Sequence, residues 1–408
     1  MASKDKGCSR RDFLKTAGAT GVGAVLTQHL LQKDASAETE AKSSKNKTVP
    51  TRPFGRTGKN VSMLCLGGMF DIPSNQIILK LALQFGVTYW ETAYVYGGGT
   101  SEKGIGKYFK KTPQDREKVF LVSKAKARDP EGMTDQLETS LKRMNTDYID
   151  LYFLHGVSDM KEVSSEVRKW VETAKKKGKI RLFGFSTHQN MEDCLMKSAK
   201  LDWIDGIMVA YNFRLMHQNP MKEAIQACSE AGIGLTAMKT QGGGSVKTDS
   251  ETELRMAGRF VQKGYTDKQA KLKAVWEDKN IASICSQMPD STILMSNISA
   301  ALDDTGLSAQ EMSFLKQYAL QTCSGYCAGC SSACEAEINA SVPIGDIMRY
   351  LMYQQNYGER DFAKKIQDKF PDGIKQAIAS TDFSAAEKKC PQKMEIGKLM
   401  RKASGMLA

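Results

Sequence analysis

Eight short apolar runs, each followed by a longer charged segment, limit what this chain can fold into. The runs are 61–66, 87–93, 119–125, 148–155, 180–186, 206–212, 232–239 and 281–288. Between them, segments such as 133–144 and 161–177 carry apolar residues three and four apart with charges between, which is the pattern of an amphipathic helix. Strand and helix in strict alternation predict parallel strands joined by right-handed crossovers. Eight such units match a (β/α)8 barrel, for which roughly 250 residues is typical. The competing open, doubly wound sheet lacks its fingerprint, since no G-x-G-x-x-G follows the first run. The expected fold class is therefore α/β: a TIM barrel over 50–305 and a small α-helical, cysteine-rich module over 306–408.

A barrel of this kind gathers its functional groups at the C-terminal ends of its strands. Glu91 and Tyr96 follow the second run, Lys124 ends the third and His155 ends the fourth. Ser186, Thr187 and His188 end the fifth; Lys239 ends the seventh, before Gln241 and the glycines Gly242 to Gly244. Groups converging from consecutive strand ends can hold a carbonyl and deliver a proton to it. A hydride would have to come from a cofactor, because no side chain supplies one.

Several motifs go further. They are Glu91-Thr92-Ala93-Tyr94-Val95-Tyr96-Gly97, Val122-Ser123-Lys124, Asp150-Leu151-Tyr152-Phe153-Leu154-His155 and Gly178-Lys179-Ile180-Arg181-Leu182-Phe183-Gly184-Phe185-Ser186. With Arg56-Thr57-Gly58 and Leu66-Gly67-Gly68, they make 50–305 resemble the aldo-keto reductases. The resemblance implies reduction of aldehydes and ketones with NADPH by an Asp-Tyr-Lys-His tetrad. Tyr96 would donate the proton, and Lys124 would lower its pKa from the ordinary value of about 10. His155 would orient the carbonyl oxygen. Glu91 stands at the Asp position, one methylene longer. Cofactor contacts would fall on Gly68, Ser186, Thr187, Lys239, Gly242, Gly243 and Asn297. Thr187 replaces an Asn, Met208 a Gln and Met238 a stacking aromatic. The 287–297 loop carries no Lys or Arg for a 2′-phosphate, so NADP(H) and NAD(H) both stay open. These departures also motivate a second reading, a barrel that no longer catalyses and serves in electron transfer or binding.

Ten cysteines occur, one of them, Cys8, within the first 37 residues. Cys65, Cys194, Cys228 and Cys285 stand singly in strand or helix patterns and read as small buried hydrophobes. Five others follow the barrel: Cys323, Cys327, Cys330, Cys334 and Cys390. The first four form C-x3-C-x2-C-x3-C, with Gly325 and Gly329 between. This resembles a ferredoxin-type 4Fe–4S loop, whose usual form is C-x2-C-x2-C-x3-C-P. Pro391 follows Cys390, whereas Glu335 follows Cys334. Ser380, Phe383 and Ala386 occupy the positions of a second thiolate set, as in a two-cluster module that has lost one cluster. The resemblance gives the surviving cluster Cys323, Cys327, Cys330 and a fourth ligand, either Cys390 or Cys334. Disulfides and a four-cysteine zinc site are the competing readings. Residues 344–357 read as an amphipathic helix with Met348, Leu351 and Met352 on its apolar side.

The first 37 residues bear on that choice. Ser9-Arg10-Arg11-Asp12-Phe13-Leu14-Lys15 resembles a twin-arginine export motif, an apolar stretch follows over 16–31, and Ala35-Ser36-Ala37 offers a cleavage site. The stretch is too short for a membrane span, and no later segment reaches roughly 18 consecutive apolar residues, so an integral membrane protein is not expected. A signal over 1–37 implies passage through the twin-arginine translocase, already folded, to the periplasm. A polar, flexible leader over 38–49 would follow. Export after folding favours a cluster, which must be inserted beforehand. The chain carries 58 Lys+Arg against 46 Asp+Glu. The densest basic run, Lys175-Lys176-Lys177-Gly178-Lys179, lies between a helix and a strand and reads as a solvated loop, so no nucleic-acid partner is expected. The expected partners are a small carbonyl-type or quinone-like substrate and a redox partner.

Overall fold

The computed structural model describes residues 48–243, 264–338, 341–357 and 360–407. The signal, nearly all of the leader and Gly244 lie outside the described residues. Two short strands, β1 (Thr51–Pro53) and β2 (Asn60–Ser62), form an antiparallel hairpin. Eight parallel strands follow: β3 (Leu64–Gly67), β4 (Tyr89–Glu91), β5 (Phe120–Ala125), β6 (Ile149–Leu154), β7 (Ile180–Thr187), β8 (Gly206–Ala210), β9 (Gly234–Met238) and β10 (Ile281–Gln287). They close in sequence order, with β10 hydrogen-bonded to β3. Each expected run contains one barrel strand. The first run is divided, because its start pairs back on β1 and only its end enters the barrel.

The helices form where their caps and apolar spacing dictate. In Ser165–Lys176 the Ser164 side chain caps the first turn, and Val167, Trp170, Val171 and Ala174 face the barrel at steps of three, one and three. In Pro130–Met144, Asp129 caps Gly132 and Asn145 ends the helix in the left-handed region.

The hairpin seals the N-terminal end of the barrel. Phe54 is fully buried, and a Cβ on Gly206 or Gly234 would lie 2.8 or 2.5 Å from its ring. Arg52 donates to the carbonyls of Trp276, Asp278 and Ile281, and Arg56 to those of Ala231, Asp202 and Ile204. Two guanidinium groups thus satisfy six strand-entry carbonyls and clamp the seal. Above it, Cys65, Tyr89, Val122, Leu151, Phe153, Met208 and Ala282 fill the barrel interior. At Gly184 on β7 an added Cβ would fall 1.7 Å from the Gly206 carbonyl oxygen. Backbone cannot yield there as a flexible side chain would. Gly184→Ala is therefore expected to cost about 3 kcal/mol or more and to lower Tm by roughly 6 °C or more, measurable by thermal unfolding.

Beyond the barrel, the helix Ala309–Gln321 adds Leu315, Tyr318 and Ala319 to the main core. A second core starts at Val342 and gathers Ile344, Ile347, Met348, Leu351, Phe383, Ile396 and Met400. The helix expected over 344–357 is α-helical over Ile344–Leu351 and then widens to π-turns over Met352–Tyr357. These elements lie across the ends of β7 to β9. Asn190 N–H donates to the Gly329 carbonyl at 2.7 Å, Asn212 Nδ2 to Tyr326 Oη at 3.0 Å and Gln189 Nε2 to Asp346 Oδ1 at 3.1 Å. No described helix is long and apolar enough to cross a membrane.

Candidate active site

Four side chains expected to act together meet at the C-terminal mouth of the barrel. Glu91 ends β4 and is 3% exposed; Lys124, on β5, is 1% exposed. Tyr96 opens a tight turn through Gly97, Gly98 and Gly99, all at positive φ, a run that L side chains would strain. That turn brings the phenol back over the strand ends. Tyr96 Oη donates to Glu91 Oε1 at 3.0 Å, and Lys124 Nζ lies 3.3 Å from the phenol oxygen. Lys124 also makes a close ion pair with Glu91 and donates to the Thr92 carbonyl at 2.9 Å. Gly68 N–H holds the other Glu91 oxygen at 3.1 Å. The His155 ring stands edge-on to Tyr96, centroids 5.7 Å apart. The longer carboxylate of Glu91 therefore reaches Lys124 and Tyr96 at once.

Electrostatics correct one expectation. The Tyr96 phenol is pushed well above its ordinary value, chiefly by burial, rather than lowered by Lys124. Burial dominates, and Cys285, Tyr353 and Cys65 nearby add to it. Burial pulls Lys124 itself down, to about 7, opposed in smaller measure by Cys285 and Cys65. His155 is held well below its ordinary value by burial, then by Lys124 and Lys126, so its imidazole is neutral at pH 7. Such a set offers an acid, a neutral hydrogen-bonding imidazole and a buried cation around one point. Glu91→Gln would leave Lys124 buried without its counter-charge. The expected cost is about 3–5 kcal/mol of stability, read by denaturant unfolding.

Tyr96, Lys124, His155 and Ser186 line one cavity, together with Lys126, His188, Met238 and Lys239. Arg349, Tyr353, Lys365, Ile366 and Lys369 complete it from the C-terminal module. Among the expected cofactor residues, Ser186 and Lys239 border this space. Thr187 spends its hydroxyl on the Gln189 carbonyl, and Asn297 donates to Ser286 Oγ, both buried. Gly68 braces Glu91. Gly242 packs on Phe213 and accepts from Arg214, and Gly243 sits beside it at positive φ. Sequence reasoning passed over Lys126, Arg349, Tyr353, Lys365 and Lys369. Lys126 carried a signal, two residues beyond Lys124 and just past the end of the same strand; the other four carried none.

The described cysteines are all free thiols. Cys327, Cys330, Cys334 and Cys390 line a second, mainly apolar cavity with Lys389 and Pro391. Cys323, on a short turn before them, does not border it. Burial pushes the Cys327 thiol up to about 11 and those of Cys330 and Cys334 to about 12. Among the described residues, no three His, Cys, Asp or Glu side chains close tightly enough to hold a single metal ion.

Known proteins share the barrel. The profile of the aldo/keto reductase family matches residues 64–294, and that of the twin-arginine translocation pathway signal sequence matches residues 7–27. The signal directs export by that pathway. The aldo-keto reductase yakc of Schizosaccharomyces pombe, named for NADP(+), is 28% identical over 219 residues, 48% of this chain and 62% of its own length. The uncharacterized oxidoreductase YrpG of Bacillus subtilis is 29% identical over 240 residues, 52% and 73% of the two lengths. This chain thus spans less than two thirds of the first of these relatives. Among solved structures, the thermostable aldo-keto reductase Tm1743, in complex with the inhibitor epalrestat, has a TM-score of 0.55 at 26% identity, covering 66% of this chain and 99% of that one. AKR11C1 from Bacillus halodurans shares the fold with a TM-score of 0.54 at 22% identity, covering 66% and 96%. With this profile spanning more than half of its residues and the strand-end tetrad assembled, the chain belongs to the aldo/keto reductase family.

Proposed function

We propose that the protein is an exported oxidoreductase that reduces a small carbonyl or quinone-like compound, with NADP(H) or NAD(H) as hydride source. The observation that carries this reading is the contact of Tyr96 with both Glu91 and Lys124, beside a neutral His155, at an open cavity. Ser186 and Lys239 border the same space and would hold the nicotinamide end; the bound nucleotide supplies the hydride. Tyr96 keeps its proton at neutral pH and delivers it to the substrate oxygen. His155 donates a hydrogen bond to that oxygen without adding charge. Glu91 and Lys124 fix the phenol and stabilise the charge left on it. The test is turnover of an aldehyde and ketone panel with each nucleotide, using reduced nicotinamide deuterated at C4. Deuterium on the carbinol carbon is the expected result. No turnover with either nucleotide would overturn the reading.

The finer part of the proposal is one 4Fe–4S cluster on Cys327, Cys330, Cys334 and Cys390. It is supported by the shared cavity of these thiols, by their C-x2-C-x3-C spacing and by Pro391 after Cys390. A cubane is several ångströms wide, so its ligands stand further apart than those of a lone ion. Cys323, outside the cavity, is replaced by Cys334 in this ligand set. Anaerobically purified protein should be brown and carry about four irons per chain.

A further inference from the structure

We infer that the helical module roofing the barrel selects a small anionic carbonyl substrate, one bearing a carboxylate or a phosphate beside its reducible group. This rests on the reductase reading of the site and specifies its substrate class. Five cations besides Lys124 face the cavity: Lys126, Lys239, Arg349, Lys365 and Lys369. No described carboxylate lines it. Arg349 has its counter-charge in Asp346, and Glu162 pairs with Arg128, which leaves Lys126, Lys239, Lys365 and Lys369 facing the cavity without an ion-pair partner among the described residues. Asp361 and Asp368, on the roof, do not border the cavity.

The cations are close enough to oppose one another. Lys126 is lowered by burial, then by Arg128, Lys369 and Arg349. A protein does not gather like charges around a reactive centre without a counter-charge to satisfy them. Two buried nitrogens of residues that line the cavity have no hydrogen-bond partner among the described residues, His155 Nδ1 and Arg349 Nε. Lys365, on the helix Arg360–Gln367, and Lys369, in the turn that follows it, bring two ammonium groups to the cavity with Ile366 as an apolar contact between them. Lys239 follows β9 and its carbonyl accepts from Gly242 N–H, so it belongs to the nucleotide end. Lys126, beyond the end of β5, and Lys365 and Lys369, from the roof, are the part of the collar placed for the substrate.

The double variant Lys365→Gln/Lys369→Gln tests this, because both side chains are exposed and their loss leaves the cores intact. For 2-oxo acids or sugar phosphates, kcat/KM should fall about tenfold, mostly through KM. For neutral carbonyls of matched size it should not change. Comparing the two anionic series identifies which anion the collar takes. Equal or better use of neutral carbonyls by the unaltered protein, or no selective loss in the double variant, would overturn the inference while leaving reductase activity intact. Calorimetric titration with oxalate and with inorganic phosphate gives a readout that needs no turnover. Binding of either that weakens in the double variant supports the collar even if the reductase reading fails; binding of neither overturns it.

Discussion

Replacing Tyr96 with Phe is expected to lower kcat/KM for carbonyl reduction by about 100- to 10,000-fold, with nucleotide affinity nearly unchanged. The variant keeps the ring beside His155 and removes only the hydroxyl that contacts Glu91 and Lys124. Loss of the proton donor acts on the transition state, so kcat should fall and KM should not rise in proportion. The pH profile gives a second check. Reduction needs the protonated phenol, and burial raises its pKa above the usual value of about 10. The phenol should therefore cause no decline until pH climbs through that raised value, and an inflection near 7 would report Lys124 losing its proton. His155, neutral throughout, should add no inflection between pH 6.5 and 8. Turnover of Tyr96→Phe within threefold of the unaltered protein would refute the assignment.

The second large effect concerns iron. Cys390→Ser should abolish the iron content, because it removes one of four thiols around a common cavity. Cys323→Ser should retain about four irons per chain. The contrast between these two conservative changes separates the ligand set from its neighbour. Iron-free Cys323→Ser with iron-loaded Cys334→Ser would reverse the assignment. Loss of the cluster should also loosen the roof, since Cys327, Cys334 and Cys390 pack against the second core. Protease sensitivity after Val342 would report it.

Most of the barrel was legible because each strand carries its own apolar run and each helix its own period. The tetrad was legible for a related reason: strand ends converge in this architecture, so four distant positions could be brought together on topology alone. The roof was not legible. Arg349, Lys365 and Lys369 look like ordinary charges on solvated helix faces until the module is laid across the barrel, and no local pattern encodes that docking. The π-turns at Met352–Tyr357 likewise keep a helical apolar pattern. The choice among cysteines stayed open on near-symmetry, because C-x3-C-x2-C-x3-C offers overlapping triplets with similar spacing. The Tyr96 shift was misjudged because the depth at which the roofed mouth buries the phenol, its largest cause, has no local pattern in the sequence.

The four-thiol cavity has a consequence for the order of biosynthesis. Its first three sulfurs lie within eight residues, and the last comes at Cys390, close to the end of the chain. Domains emerge and fold from the N-terminus during translation. The export tag is thus made before the barrel, and the barrel before the segment that brings the last thiol. A molecule caught between those stages would carry a valid address and an open mouth. The cavity can close only after the address is already in place.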